Sequence, residues 1–134
     1  MDKNRVEKPG LLAPLVLAYI GDGVYEVYVR NRLVFEHPDM PAYKLHREAI
    51  KYVRAHAQSN SMLSLESFFD AEEEAVYKRG RNAKSPTVPK NADVADYRRA
   101  TGFEAVVGFL YLSNKMARLE EIMCIAFENA LDIK

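Results

Sequence analysis

The sequence predicts an all-α fold, a bundle of about six or seven helices. Three observations carry this. Apolar residues recur at helical spacing along nearly the whole chain. Strand-like alternation is nearly absent. Helix start and stop signals stand where the apolar pattern breaks. With 134 residues the chain fits one domain, 1–134, long enough for a core without staples.

Taken in order, residues 11–35 read as one long helix or two abutting ones, with Pro14 tolerated in a first turn. The segment His37-Pro38-Asp39-Met40-Pro41 is a connector. A second helix is predicted over 42–58, with Leu45, Ala49, Val53 and Ala57 as its core stripe at i, i+4 intervals. Ser59-Asn60-Ser61 reads as punctuation, followed by a short helical segment, M-L-S-L-E-S-F-F. Asp70 then fits an N-cap, and Glu73, three residues on, completes a capping box. The helix behind it carries acids first and bases last, which suits the helix dipole, and Gly80 is expected to stop it. Residues 80–92 form a loop with two prolines, of a length that is often functional. Asp93 can cap a helix running to about Leu112, and a last helix covers roughly 117–131.

Composition narrows the function. Apolar residues make up 49% and charged residues 28%, ordinary for a soluble globular protein. The formal net charge is zero, so no global field announces a nucleic-acid partner and any such signal must be local. The single cysteine, Cys124, sits in an apolar helical context and reads as a small core residue in a reducing compartment. The apolar run from Leu11 to Ile20 is too short to span a bilayer, and no secretory signal precedes it. The expectation is a cytoplasmic protein. Three histidines and one cysteine leave no zinc spacing and a poor basis for a nucleophile triad.

Two carboxylates stand out. Asp22 lies between two glycines in A-Y-I-G-D-G-V-Y-E, and Glu104 precedes the uncharged run A-V-V-G-F-L-Y-L. A carboxylate in an apolar segment is costly unless paired, hydrogen-bonded or bound to metal. Two such groups on separate helices could meet and hold Mg²⁺, which prefers hard oxygen ligands. A blander reading stands beside this one. Asp22, Glu26 and Arg30 fall at i, i+4, i+8, as on a solvated stripe, and Glu104 could point outward. The glycines favour the first reading. Gly21 and Gly23 each cost about 1 kcal/mol against alanine inside a helix, and Gly102 and Gly108 flank Glu104 similarly. Small residues beside both acids suggest two helices packed closely at one site.

Basic residues cluster twice. Lys44, Arg47, Lys51 and Arg54 fall at i, i+3, i+7, i+10 on one face of the second predicted helix. That pattern fits a solvated face or a set of phosphate contacts. The stretch Y-K-R-G-R-N-A-K-S-P-T-V-P-K-N-A-D adds Lys78, Arg79, Arg81, Asn82, Lys84 and Lys90, with Ser85, Thr87 and Asn91. A basic, polar, semi-rigid loop suits the groove of an RNA helix, where phosphates and 2′-hydroxyls are the readable groups. A merely soluble loop is the alternative.

Together, L-A-Y-I-G-D-G-V-Y-E-V-Y-V-R and R-G-R-N-A-K-S-P-T-V-P-K-N-A-D followed by G-F-E-A-V-V-G-F-L-Y-L resemble the ribonuclease III family, in its short Mini-ribonuclease III branch. The likeness covers essentially the whole chain. It implies a ribonuclease III catalytic-domain-like helical bundle, homodimeric, that cuts double-stranded RNA with Mg²⁺. Asp22 matches the family's motif aspartate and Glu104 its second essential carboxylate, both as catalytic and metal-binding residues. Larger members carry further acids at positions held here by Leu15, Ala18 and Thr101, which leaves two carboxylates per site. The resemblance further implies 5′-phosphate and 3′-hydroxyl ends, trimming of precursor 23S ribosomal RNA, and assistance from a large-subunit ribosomal protein. The competing expectation is a non-catalytic RNA-binding or ribosome-associated helical protein.

Overall fold

The computed structural model describes residues 6–85, 88 and 93–132. Every regular element among them is helical. A short 3-10 helix, Pro9–Leu11, precedes α1 (Pro14–Glu36), α2 (Ala42–Val53), α3 (Ala55–Leu65), α4 (Ala71–Asn82), α5 (Val94–Leu112) and α6 (Met116–Glu128). None of these is long and apolar enough to cross a membrane.

The core is organised around α5. Every residue from Ala100 to Leu110 is buried except Glu104, which is partly exposed. A helix apolar on all sides must be surrounded, and α1, α3, α4 and α6 all pack against it. Its closest neighbour is α1, through Leu17, Gly21, Tyr25, Val29 and Leu33, a strict i, i+4 series of buried positions. Tyr25 meets Phe103 edge-to-face with ring centroids 4.9 Å apart.

Two glycine crossings set how near the helices come. A Cβ on Gly21 would run into the carbonyl oxygen of Glu104, and one on Gly108 into that of Leu17. On the other side of α5, a Cβ on Gly80 would come within 2.9 Å of the Ala105 Cβ and the Gly102 Cα. Helix α5 is thus clamped between α1 and α4 at nearly backbone-to-backbone distance. Gly80 therefore serves packing inside α4 and does not stop it; the helix continues to Asn82. Gly23 serves no such contact, since a Cβ there would meet nothing within 4 Å.

Several ends match their sequence signals. Pro14 opens α1, and α1 stops at His37, held out of the helical region by Pro38. The Asp70–Glu73 capping box forms, with the Glu73 N–H donating to Asp70 Oδ1 at 2.8 Å and the Asp70 N–H to Glu73 Oε1 at 2.9 Å. Asp93 caps α5 by accepting from the Asp96 N–H at 3.0 Å. Helix α5 closes on Asn114 in the left-handed region (φ 57°), with the Lys115 N–H donating to Leu110 O.

The expected helix over 42–58 is two helices. Arg54 adopts an extended conformation (ψ 156°) and separates α2 from α3. No glycine or proline marks this break. It turns the chain so that Ala57, Gln58, Ser61, Met62 and Leu65 are buried against α5 and α6. Ser59-Asn60-Ser61, expected as punctuation, lies inside α3, and its polar atoms tie helices together. The Ser61 hydroxyl donates to Ala126 O at 2.7 Å, and the Asn60 amide to Ala130 O at 3.2 Å.

Candidate functional site

The crossing of α1 and α5 fixes the two singled-out carboxylates. Because Gly21 touches the Glu104 carbonyl, the next residue along α1, Asp22, stands beside the Glu104 side chain. The Asp22 carboxyl acts on the Glu104 carboxyl as a neighbouring acid. Burial pushes the Glu104 carboxyl well above its ordinary range, the neighbouring Asp22 pushes it the same way, and a donor from Gln58 pulls it back. Asp22 is on the exposed side of the pair. Of the open readings for these acids, the solvated stripe fits Glu26 and Arg30, which pair at 3.0 Å, while Asp22 turns to Glu104.

Gln58 escaped the sequence reading. It is 1% exposed, and its Nε2 donates to Val53 O at 3.0 Å and to Glu104 Oε2 at 3.4 Å. It reaches the site only because the chain breaks at Arg54, and nothing in Y-V-R-A-H-A-Q signals that. A small cleft beside the acids is lined by Val53, Gln58, Tyr97, Thr101 and Glu104. The Thr101 hydroxyl, also lining this cleft, donates to Tyr97 O at 2.9 Å. Among the described residues no three acids, histidines or cysteines cluster as a metal site. Two facing carboxylates, one of them reluctant to ionise, are still the hard-oxygen donor set that suits Mg²⁺ with water or phosphate oxygens completing its shell.

The basic residues divide by environment. Lys44, Arg47 and Lys51 line the exposed face of α2, with Lys51 held 2.9 Å from Glu48. Arg54 does not continue that face, because it sits on the break; hydrogen bonds from Asn60 and then His56 lead in holding the Asp132 carboxyl below its ordinary value, and the Arg54 charge adds to them. On α4, Lys78 pairs with Glu74 at 3.1 Å. Arg79 donates to Gly10 O and Leu12 O, each at 3.2 Å, and so anchors the segment before α1. Arg81 lies over the Tyr77 ring, 5.7 Å from its centroid, and donates to Asn82 Oδ1. Lys84 is exposed. Lys90 lies outside the described residues, as do Thr87 and Asn91.

Among the described residues the fold is all-helical, and the α1–α5 crossing brings two carboxylates near each other, with exposed cations on α2 and α4. Residues 15–115 match the family model described as Ribonuclease III domain. The chain belongs to the ribonuclease III family and is an endoribonuclease of that type. Its similarity runs to the Mini-ribonuclease 3 members. It is 52% identical to "Mini-ribonuclease 3" of Clostridium tetani, over 82% of this chain and 73% of that one. It is 50% identical to that of Brevibacillus brevis, over 95% of each. A crystal structure of a protein from Fusobacterium nucleatum superimposes with a TM-score of 0.81 at 26% identity, over 94% of this chain and all of that one.

Proposed function

We propose that the chain is a Mg²⁺-dependent endoribonuclease that trims the ends of precursor 23S ribosomal RNA by cutting its double-stranded stem. The observation that carries this is the Asp22–Glu104 pair at the α1–α5 crossing. Asp22 and Glu104 would hold the cation through their carboxylate oxygens. When bound, Mg²⁺ supplies Lewis-acid stabilisation of phosphate charge and a water of lowered pKa. The chain's own cations supply the grip. Lys44, Arg47 and Lys51 on α2, with Arg54, Lys78, Arg79, Arg81, Asn82, Lys84 and Lys90, would contact phosphates and 2′-hydroxyls, reading shape more than sequence. The products would carry 5′-phosphate and 3′-hydroxyl ends.

Two sites are needed to cut both strands, and a second copy of this chain would bring the second one. Support comes from α1, which is apolar on the side away from α5 as well. Val16, Tyr19, Gly23, Val27 and Val34 share that side, with Tyr19 79% and Val27 58% exposed. A large-subunit ribosomal protein would assist by presenting the precursor RNA.

The test is cleavage of an end-labelled RNA duplex in Mg²⁺, with product ends mapped. Asp22→Asn and Glu104→Gln are each expected to lower turnover by at least ~10³-fold, with folding retained. Wild-type-like cleavage by either variant overturns the assignment. On precursor 23S RNA, cuts away from the mature ends would overturn the substrate.

A further inference from the structure

We infer that Gln58 is a positioning residue for the cation site, a neutral clamp that aims the Glu104 carboxylate and joins it to the α2–α3 break. The inference rests on Asp22 and Glu104 being the cation ligands. Three observations carry it.

First, the amide is oriented by its neighbours. Nε2 faces two oxygen acceptors, Val53 O at 3.0 Å and Glu104 Oε2 at 3.4 Å. Reversing the amide would set its oxygen against both. The contact to Glu104 is long for an N–H···O bond and the one to Val53 O is of ordinary length, so Val53 O fixes the amide and the amide in turn faces the carboxylate.

Second, the position is otherwise a poor place for an amide. Gln58 is 1% exposed, and its Oε1 finds no hydrogen-bond partner among the described residues. A buried acceptor left unsatisfied is destabilising, and an apolar side chain of similar size would avoid that. The amide stands where its donor meets the Glu104 carboxylate. Asp22 offers Glu104 an acceptor and a like charge; Gln58 offers it the N–H.

Third, Val53 is the last residue of α2, the helix that bears Lys44, Arg47 and Lys51. One amide therefore touches both the end of the cationic helix and the acid in the cleft. With only two carboxylates in the site, the aim of each matters more than where several acids share the cation, and partners that orient a ligand commonly change metal affinity by about 10–100-fold when removed.

The experiment uses Mn²⁺ as probe, with its free-ion electron paramagnetic resonance signal reporting the bound fraction on the full-length, RNA-free protein. Gln58→Met keeps length and burial but loses the donor; Gln58→Leu is the second variant should the first fail to fold. Either is expected to bind Mn²⁺ about tenfold more weakly. The Mg²⁺ needed for half-maximal cleavage should rise in proportion, while KM for duplex RNA at saturating Mg²⁺ stays at the wild-type value. A folded variant with wild-type Mn²⁺ affinity and a lowered thermal midpoint overturns the inference, because Gln58 would then only stabilise the break. Glu104→Gln is the control that separates the two readings. Its loss of Mn²⁺ binding beside an unaffected Gln58→Met removes the positioning role alone. Retained binding in Glu104→Gln removes the ligand assignment and the positioning role with it.

Discussion

At the scale of residues, the glycines of α1 separate two uses of a small side chain. Gly21 and Gly23 flank Asp22 symmetrically in the sequence and look equivalent there. In the fold they are opposites. Gly21 lies against the Glu104 backbone, and any Cβ would overlap it; Gly23 faces open space. Gly21→Ala should therefore force α1 and α5 apart, costing about 3 kcal/mol or more, and should separate Asp22 from Glu104. Gly23→Ala should leave the monomer fold intact and favour the helix by roughly 0.5–1 kcal/mol. Chemical denaturation of the two variants checks both directions. Equal destabilisation by the two would contradict the crossing geometry. If Gly23→Ala is stable yet cleaves poorly, the residue's smallness serves whatever comes to the open side of Asp22. The sequence showed that small residues stand near both acids, but not which glycine faces which helix. That distinction needs the rotation of α1 about its own axis, which only its packing partners fix.

Single elements show where sequence reading succeeds and where tertiary structure overrules it. The starts of α4 and α5 are written locally, in Asp70–Glu73 and Asp93, because a cap needs only its own first turn. The division of 42–58 into α2 and α3 is not local. Its stabilising contacts come from Gln58 folding back on Val53 O and from α3 bonding to α6. Another contact of α3 is open to titration. His56 Nδ1 lies 2.9 Å from Asp96 on α5 and its Nε2 3.3 Å from Asp132 beyond α6, with Arg99 3.7 Å from Asp96 on the same side. The hydrogen bond to Asp96 leads in raising the His56 pKa, and Asp132 adds to it. A histidine raised in the folded state stabilises it fully below its unfolded pKa near 6.5, and that stability is lost as pH rises through the raised value. Asp96 is lowered by its bond to His56 against the opposing effect of burial, so its contribution is lost at the acid end. The wild-type thermal midpoint should thus fall between about pH 6 and 8 by more than that of His56→Ala. The half-exposed imidazole limits the difference to less than about 1 kcal/mol. Parallel curves for the two proteins across that range would show that the cluster carries no pH-linked stability.

For the whole molecule, the question is what α1 is for. A helix of 23 residues that is apolar on opposite sides belongs inside a structure. One side is inside, against α5. The other, running through Val16, Tyr19, Gly23, Val27 and Val34, is left to solvent in a single chain. Exposed apolar residues are ordinary when scattered, but these recur along one helical stripe, interrupted by Arg30 between Val27 and Val34, and apolar patches rimmed by polar residues mark association sites. Fully burying each large side chain contributes about 1.5–3 kcal/mol, enough in sum to oppose the cost of association. The stripe also passes Asp22, so a second copy seated on it would bring two acid pairs into one particle. Val27→Glu or Tyr19→Lys should then convert a dimer into a monomer by sedimentation or light scattering, with the helical content unchanged. The wild-type thermal midpoint should rise with protein concentration, as mass action requires of a folded dimer, and that of the variants should not. Duplex cutting would shift from paired breaks to single-strand nicks. A wild-type chain that sediments as a monomer at micromolar concentration, with a midpoint independent of concentration, would leave the α1 stripe without a second copy to cover it and remove the paired-site mechanism.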